Sequence, residues 1–160
     1  MVEFALILPV FMILMLGVFT GGIAYNRKLA ITNGGREAAR FGATVPVAGM
    51  GMNAWLDSVA GVAVASAEGE LDSGTPGRTI CVAYVYPSGL TPTDRTASRR
   101  LSSTGTVTYG TTPCYSDGQP NSVRRVQVVL ERTTEIQALV FTRNVTLRSR
   151  SVVRFEASEL

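Results

Sequence analysis

A chain of 160 residues has room for one domain. Charged residues are 17% and hydrophobic residues 46%, with mean hydropathy +0.21, which excludes an intrinsically disordered protein and argues against a fully soluble cytoplasmic enzyme. There is no histidine, so the commonest general base and zinc ligand is missing, and a net charge of +3 is too small to imply nucleic acid by itself.

The first predicted element is apolar. Phe4 to Tyr25 form a 22-residue run without charge, bounded by Glu3 and by Asn26-Arg27-Lys28. As a helix it is about 33 Å long, against about 30 Å of bilayer hydrocarbon. A cleaved secretory signal has a shorter core, a basic front and a small-residue cleavage site. Here the front carries Glu3, and Tyr25-Asn26-Arg27-Lys28 is no cleavage site, so a membrane-spanning helix is expected. Pro9 removes a backbone donor and frees the carbonyl of Ala5, which predicts a kink or a loosened turn. Gly17 and Gly21 stand at GxxxG spacing and, with Gly22, leave a shallow face for a second helix; ordinary membrane-helix composition explains them equally well. Glu3 is the sharpest feature, because a carboxylate entering an apolar environment needs a partner.

The orientation signals conflict. Arg27, Lys28, Arg36 and Arg40 follow the span, which by the positive-inside rule places the C-terminal body in the cytoplasm. Cys81 and Cys114 suggest an oxidising compartment. A basic leader, present at insertion and removed later, reconciles the two.

The helix is expected to continue past the span to about Gly42, although Gly34-Gly35 weakens it by up to about 1 kcal/mol per glycine relative to alanine. Pro46 and the stretch from Ala48 to Met52 break it. A second helix is predicted from Ala54 to about Leu71, capped by Asn53 and carrying Leu56, Val59, Ala60, Ala63 and Ala67 on one face. Strands are predicted at Thr79 to Tyr86, apolar on both faces, at Val123 to Glu131, and at Val145 to Glu156, with a weak edge strand at Thr106 to Tyr109. In the last long strand Val145, Leu147, Ser149, Ser151, Val153 and Phe155 alternate with an arginine-rich outer set. The order is helix, helix, small antiparallel sheet: an α+β chain. Its expected organisation is a long N-terminal hydrophobic helix over 1–42, spanning the membrane at about 4–25, and a head over 43–160, extracellular if the cysteines decide the orientation.

Pro87 to Ser122 reads as a long polar loop, functional or disordered. Cys81 and Cys114 read as one bridge stapling it to the sheet, with two free thiols as the alternative.

Other motifs carry less. Gly49-Met-Gly51-Met-Asn-Ala54 fits GxGxxG/A with Asp72 downstream, but Pro46 occupies the place of the required strand, and a nucleotide site is rejected. Glu68, Glu70 and Asp72 could meet calcium, but without EF-hand spacing a solvated surface cluster is the better reading. The arginines from Arg124 to Arg154 are read as a solvated sheet face rather than a nucleic-acid patch. Asn144-Val-Thr146 is a glycosylation sequon at a predicted strand start. No GxSxG, P-loop or CxxC occurs, so no catalytic, metal or cofactor site is expected and the chain is read as non-enzymatic.

The opening Met-Val-Glu3-Phe-Ala-Leu-Ile-Leu-Pro9, the segment Ala24-Tyr25-Asn26-Arg27-Lys28-Leu29-Ala30 and the helix end Arg36-Glu37-Ala38-Ala39-Arg40 resemble the TadE-like pilins of the tight-adherence (Tad) branch of type IV pilus systems. Val152-Val-Arg154-Phe155-Glu156 looks like the family's closing strand, while Pro46 to Ser122 carries no family signature. The resemblance implies a type IV pilin-like fold and a prepilin whose basic leader a dedicated peptidase cleaves. The family pattern has its glutamate fifth in the mature chain and here it is third, so the mature N-terminus is not expected to coincide with Met1.

By the same resemblance the helix over 1–42 is an assembly helix and Glu3 neutralises the N-terminal ammonium of a neighbouring subunit. The partners implied are identical or related pilins, the peptidase and the Tad assembly machinery. The location implied is the inner membrane before assembly and a surface filament supporting adhesion afterwards. Main building block and minor subunit both remain open, and the competing reading is a single-span anchored binding protein that never polymerises.

Overall fold

The structure, a computed structural model, describes residues 2–86, 96–120, 123–138 and 141–156. Helix α1, Val2–Thr44, is one uninterrupted rod of 43 residues that runs through Pro9 and ends two residues beyond the expected Gly42. A turn leads to helix α2, Met52–Ala65. Five strands follow: β1 Thr79–Val85, β2 Ala97–Leu101, β3 Val107–Gly110, β4 Arg125–Ala138 and β5 Phe141–Arg154. They form one antiparallel sheet in the order β3-β2-β1-β4-β5. The fold is α+β, with α1 and α2 packed on one face of the sheet.

The C-terminal half of α1 is the centre of the core. Ile31, Ala38, Ala39 and Ala43 are buried together with Trp55, Leu56, Val59 and Ala63 of α2 and with Ile80, Val82, Tyr84, Val126, Val128 and Leu130 of the sheet. The glycines that the sequence marked as weak points make this packing possible. A Cβ on Gly34 would stand 2.9 Å from the carbonyl oxygen of Ala63 in α2. A Cβ on Gly35, facing the sheet, would meet the hydroxyls of Ser149 and Ser151 at 3.0 and 3.2 Å. The two residues let one helix lie between α2 and β5 at close approach.

This yields a paired prediction. Gly34→Ala gains about 1 kcal/mol of helix propensity but forces backbone apart, at an overpacking cost of about 1–3 kcal/mol, so it lowers stability overall. Gly35→Ala meets closely only serine side chains that can turn aside, with Leu130 at ordinary contact distance, so it is neutral or mildly stabilising. Thermal unfolding of the two variants in detergent checks the order.

Several boundaries differ from the sequence expectation: β4 runs on to Ala138 rather than Glu131 and β5 starts at Phe141 rather than Val145, because the two strands pair with each other beyond the end of β1. Helix α2 begins after Gly51 with no side-chain cap, and Asn53 lies inside it. It ends at Ala65 rather than Leu71, because Glu68 (φ 49°) and Gly69 (φ 80°) turn the chain through the left-handed region; Ala67 and Leu71 still reach the core, but from turns. Strand β2, Ala-Ser-Arg-Arg-Leu, lies in what was read as loop. It pairs with β1 from Ile80↔Leu101 to Tyr84↔Ala97 and carries β3 on its other edge. The rest of that expected loop at 87–95 and 121–122 falls outside the described residues. Strand β1 is buried from Ile80 to Val85, as a central strand should be.

Trp55 closes the end of the core away from the rod. Its indole N–H donates to the carbonyl of Val45 at 3.0 Å, and its ring meets Tyr84 and Phe155 edge-on at 5.7 and 6.4 Å. The amide of Glu156 donates to the carbonyl of Ala43 at 2.9 Å, tying the chain just beyond β5 to the end of α1.

Candidate assembly surface

Among the described residues, the N-terminal part of α1 up to about Phe19 is exposed, and Thr20, Ile23 and Ala24 share a groove with Thr134 and Ile136 of β4. Phe4, Leu6, Val10, Phe11, Leu14, Val18, Phe19 and Ile23 are all exposed. Apart from the Ala5 carbonyl, whose helical donor Pro9 lacks, a continuous helix meets its own interior backbone groups, the condition for an element placed in hydrocarbon. Thr20 returns its hydroxyl to the carbonyl of Leu16 at 2.8 Å, so its polar group is also met internally. Among the described residues α1 is the one helix long and apolar enough to cross a membrane.

Pro9, Gly17 and Gly21 all lie on this bare half. A Cβ added at Gly17 or Gly21 would touch nothing within 4 Å, so both present open backbone to whatever surrounds the rod. Glu3 is helical in backbone, and its side chain lies outside the described set. Cys81 and Cys114 belong to a different place, the sheet face turned away from the helices.

That second face is covered by a strap, residues 111–120. The Cys81–Cys114 disulfide fixes one point, with Cα atoms 5.8 Å apart; closing a loop of 33 residues is worth about 3–4 kcal/mol on the chain-entropy model. Gln127, fully buried on β4, acts as a double clamp. Its carbonyl accepts from the amide of Cys114 at 3.0 Å, and its amide nitrogen donates to the carbonyl of Tyr115 at 3.1 Å and to Asp117 at 2.7 Å. Arg125 meets the carboxylate of Asp117 with both Nε and Nη2, at 2.6 and 2.9 Å. The two side chains are only 7% and 5% exposed.

Burial alone would raise the Asp117 carboxyl. The hydrogen bonds from Arg125, Gln127 and the amide of Gln119, with the charge of Arg125, outweigh it and hold the group below its ordinary value. The expectation of a solvated arginine face is therefore corrected at Arg125, which is buried and paired, while Arg148, Arg150 and Arg154 are exposed. Arg150 covers the ring of Tyr115 at 5.0 Å and holds the strap from β5.

A third cluster, which sequence reading missed, sits where the rod enters the head. Arg27 of α1 donates to the hydroxyl of Thr134 at 2.5 Å and stands 3.9 Å from the carboxylate of Glu70. Arg132 of β4 also pairs with Glu70, Lys28 donates to the carbonyl of Arg148, and Arg148 pairs with Glu131. Burial and the neighbouring Arg27 push the Arg132 guanidinium below its ordinary value. Glu70 is thus one pole of an ion cluster rather than part of a solvated acidic patch, whereas Glu68 and Asp72 are exposed. These pairs join residues far apart in sequence, and the only local signal was the charge pair Arg27-Lys28 at the end of the apolar run.

These features define a class: a single apolar rod, continuous with the core of a small disulfide-closed α+β head. Residues 1–40 match the family model described as TadE-like protein. That segment is similar to the TadE-like model, as the opening residues and the Arg36–Arg40 helix end indicated. No curated protein matches the chain, and no solved structure matches it.

Proposed function

We propose that the chain is a structural, non-enzymatic pilin subunit of a Tad-type type IV filament. The observation that carries this reading is the division of one helix: its C-terminal half is locked into the head core, and its N-terminal half is bare, apolar and TadE-like. Before assembly the bare half rests in the membrane over about residues 4–25. Assembly moves it from lipid into a bundle of like helices. Both surroundings are apolar, so the transfer is nearly neutral in hydrophobic terms, and packing at Gly17 and Gly21 together with a Glu3–ammonium pair supplies direction. A repeated head-to-tail contact of this kind generates an open helical filament. The head and its strap then face outward, where surface adhesion takes place.

Sheared cell-surface fibres are expected to contain this chain as a disulfide-intact subunit, detected by mass spectrometry. Its recovery only from the membrane fraction would leave a non-polymerising anchor and end the filament reading.

A further inference from the structure

Most acids of the head are engaged within it. Asp57 is held by Arg99 and Tyr109, Glu70 by Arg27 and Arg132, Asp117 by Arg125, and Glu131 by Arg148; Glu135 is engaged as well. Among the described residues Glu37, Glu68, Asp72 and Glu156 are exposed and make no ion pair. Of these, Glu68 and Asp72 form a doublet at one place, the turns between α2 and β1. Arg78, the cation that follows them in sequence, donates instead to the carbonyl of Leu71 at 2.6 Å.

The matching cations stand on α1. At about 100° per residue, Tyr25, Leu29, Arg36 and Arg40 fall within about 60° of one another, on the side of the rod away from α2 and the sheet. All four are exposed, Tyr25 at 65% and Leu29 at 42%. Arg36 and Arg40 make no ion pair among the described residues. Glu37 stands at the flank of this stripe, about 60° beyond Arg40. The stripe thus joins two uncovered apolar side chains to two unpaired cations, in line with the bare part of the rod.

One displacement serves both halves of the stripe. Glu70 stands 3.9 Å from Arg27, so the turns that carry Glu68 and Asp72 lie near the level of Arg27. Arg36 and Arg40 are about 14 and 20 Å further along the helix axis. A second copy raised by about 17 Å sets its Glu68 and Asp72 level with the first copy's Arg36 and Arg40. The same shift, about eleven residues, carries its uncharged run over 4–25 along the first copy's rod as far as Arg36, past Tyr25 and Leu29.

We infer that Glu68 and Asp72 of one subunit pair with Arg36 and Arg40 of a second copy of this chain. The charges are complementary, each set lacks a partner in its own head, and the offset that joins them also covers the apolar part of the stripe. The contact is heterologous, so it repeats along a fibre and leaves one acidic doublet and one arginine pair open at opposite ends. It is separate from the Glu3 pair, which lies at the other end of the rod. This rests on the proposed filament, and the test separates the two.

Full-length chains are expressed in place of the parent: Arg36→Glu with Arg40→Glu, Glu68→Lys with Asp72→Lys, and all four changes together. Membrane and sheared-fibre fractions are immunoblotted without reductant, so that the Cys81–Cys114 bridge reports an exported, folded head. Each two-site reversal is expected to reach the membrane with its bridge intact and to fall at least about tenfold in fibres, because like charges then face each other at every contact. The fourfold chain restores opposite signs and is expected to return to within about threefold of the parent. Arg36→Gln with Arg40→Gln removes charge without reversing it; it is expected to fall about threefold or more, and it decides the point should a reversed chain fail to be exported. Undiminished fibres from the two-site chains would overturn this pairing and leave the filament standing. A loss that the fourfold chain does not repair would also overturn it. A parent chain absent from sheared fibres would remove the filament and this inference together.

Discussion

Glu3→Ala is expected to insert in the membrane at least as well as the parent chain and to disappear from surface fibres. Removing a carboxylate from the edge of an apolar helix can only favour insertion, by up to about 2.5–3.5 kcal/mol if the group would otherwise be drawn toward the bilayer centre. In a bundle of apolar helices the same change leaves a neighbour's ammonium buried without its counter-charge. Breaking a buried pair from one side costs about 3–5 kcal/mol, which is two or more orders of magnitude in subunit incorporation. Glu3→Gln keeps the shape and part of the hydrogen bonding but not the charge, so it too is expected to fail. Quantitative immunoblots of membrane and sheared-fibre fractions read both halves of the result. Normal fibres from Glu3→Ala would remove the pairing from the assembly mechanism.

Asp117→Ala is expected to be the most damaging single change in the head. It leaves Arg125 buried at 6% exposure with its bidentate partner gone and Gln127 short of one acceptor. The loss is about 3–5 kcal/mol, a large share of the 5–15 kcal/mol that holds a typical domain together. Replacing both members by apolar residues of similar volume should cost much less, because no charge is then stranded. Denaturant unfolding in detergent compares the single and double variants.

The pH dependence has a definite sign. The Asp117 carboxyl is held below its ordinary value in the folded head. Its contribution is therefore complete above the unfolded value, about 3.9, and is lost as the pH falls through the lower folded value. The parent head should lose stability below about pH 4, and Asp117→Asn, with no carboxylate to protonate, should lack that component.

What the sequence disclosed and what it withheld divide along physical lines. The rod was legible because a run from Phe4 to Tyr25 without charge has few other uses. Strand β1 was legible because Thr-Ile-Cys-Val-Ala-Tyr-Val is apolar on both faces, and β5 because Val145 to Phe155 alternates. Strand β2 was not, since Ala-Ser-Arg-Arg-Leu carries little strand propensity of its own and becomes a strand by pairing with β1 and β3. Arg125 looked like its neighbours on a solvated face; only the return of the strap across the sheet buries it. The Arg27–Glu70–Arg132 cluster gathers residues from α1, the turn after α2 and β4, and no local pattern announces such a meeting. Gly34-Gly35 was visible as a weak point of the helix, but its packing role was not, because propensity describes an isolated helix and these two residues also answer to what lies on either side.

The continuity of α1 has a mechanical consequence. No hinge or linker separates the buried half of the rod from its bare half, so a pull on the head travels along the helix axis into whatever holds the other end. A lengthwise slip of the helix between α2 and β5 is opposed by the close fit around Gly34 and Gly35, through interlocking shape. Tension in a fibre of such subunits would be borne by the same seam that folds each one.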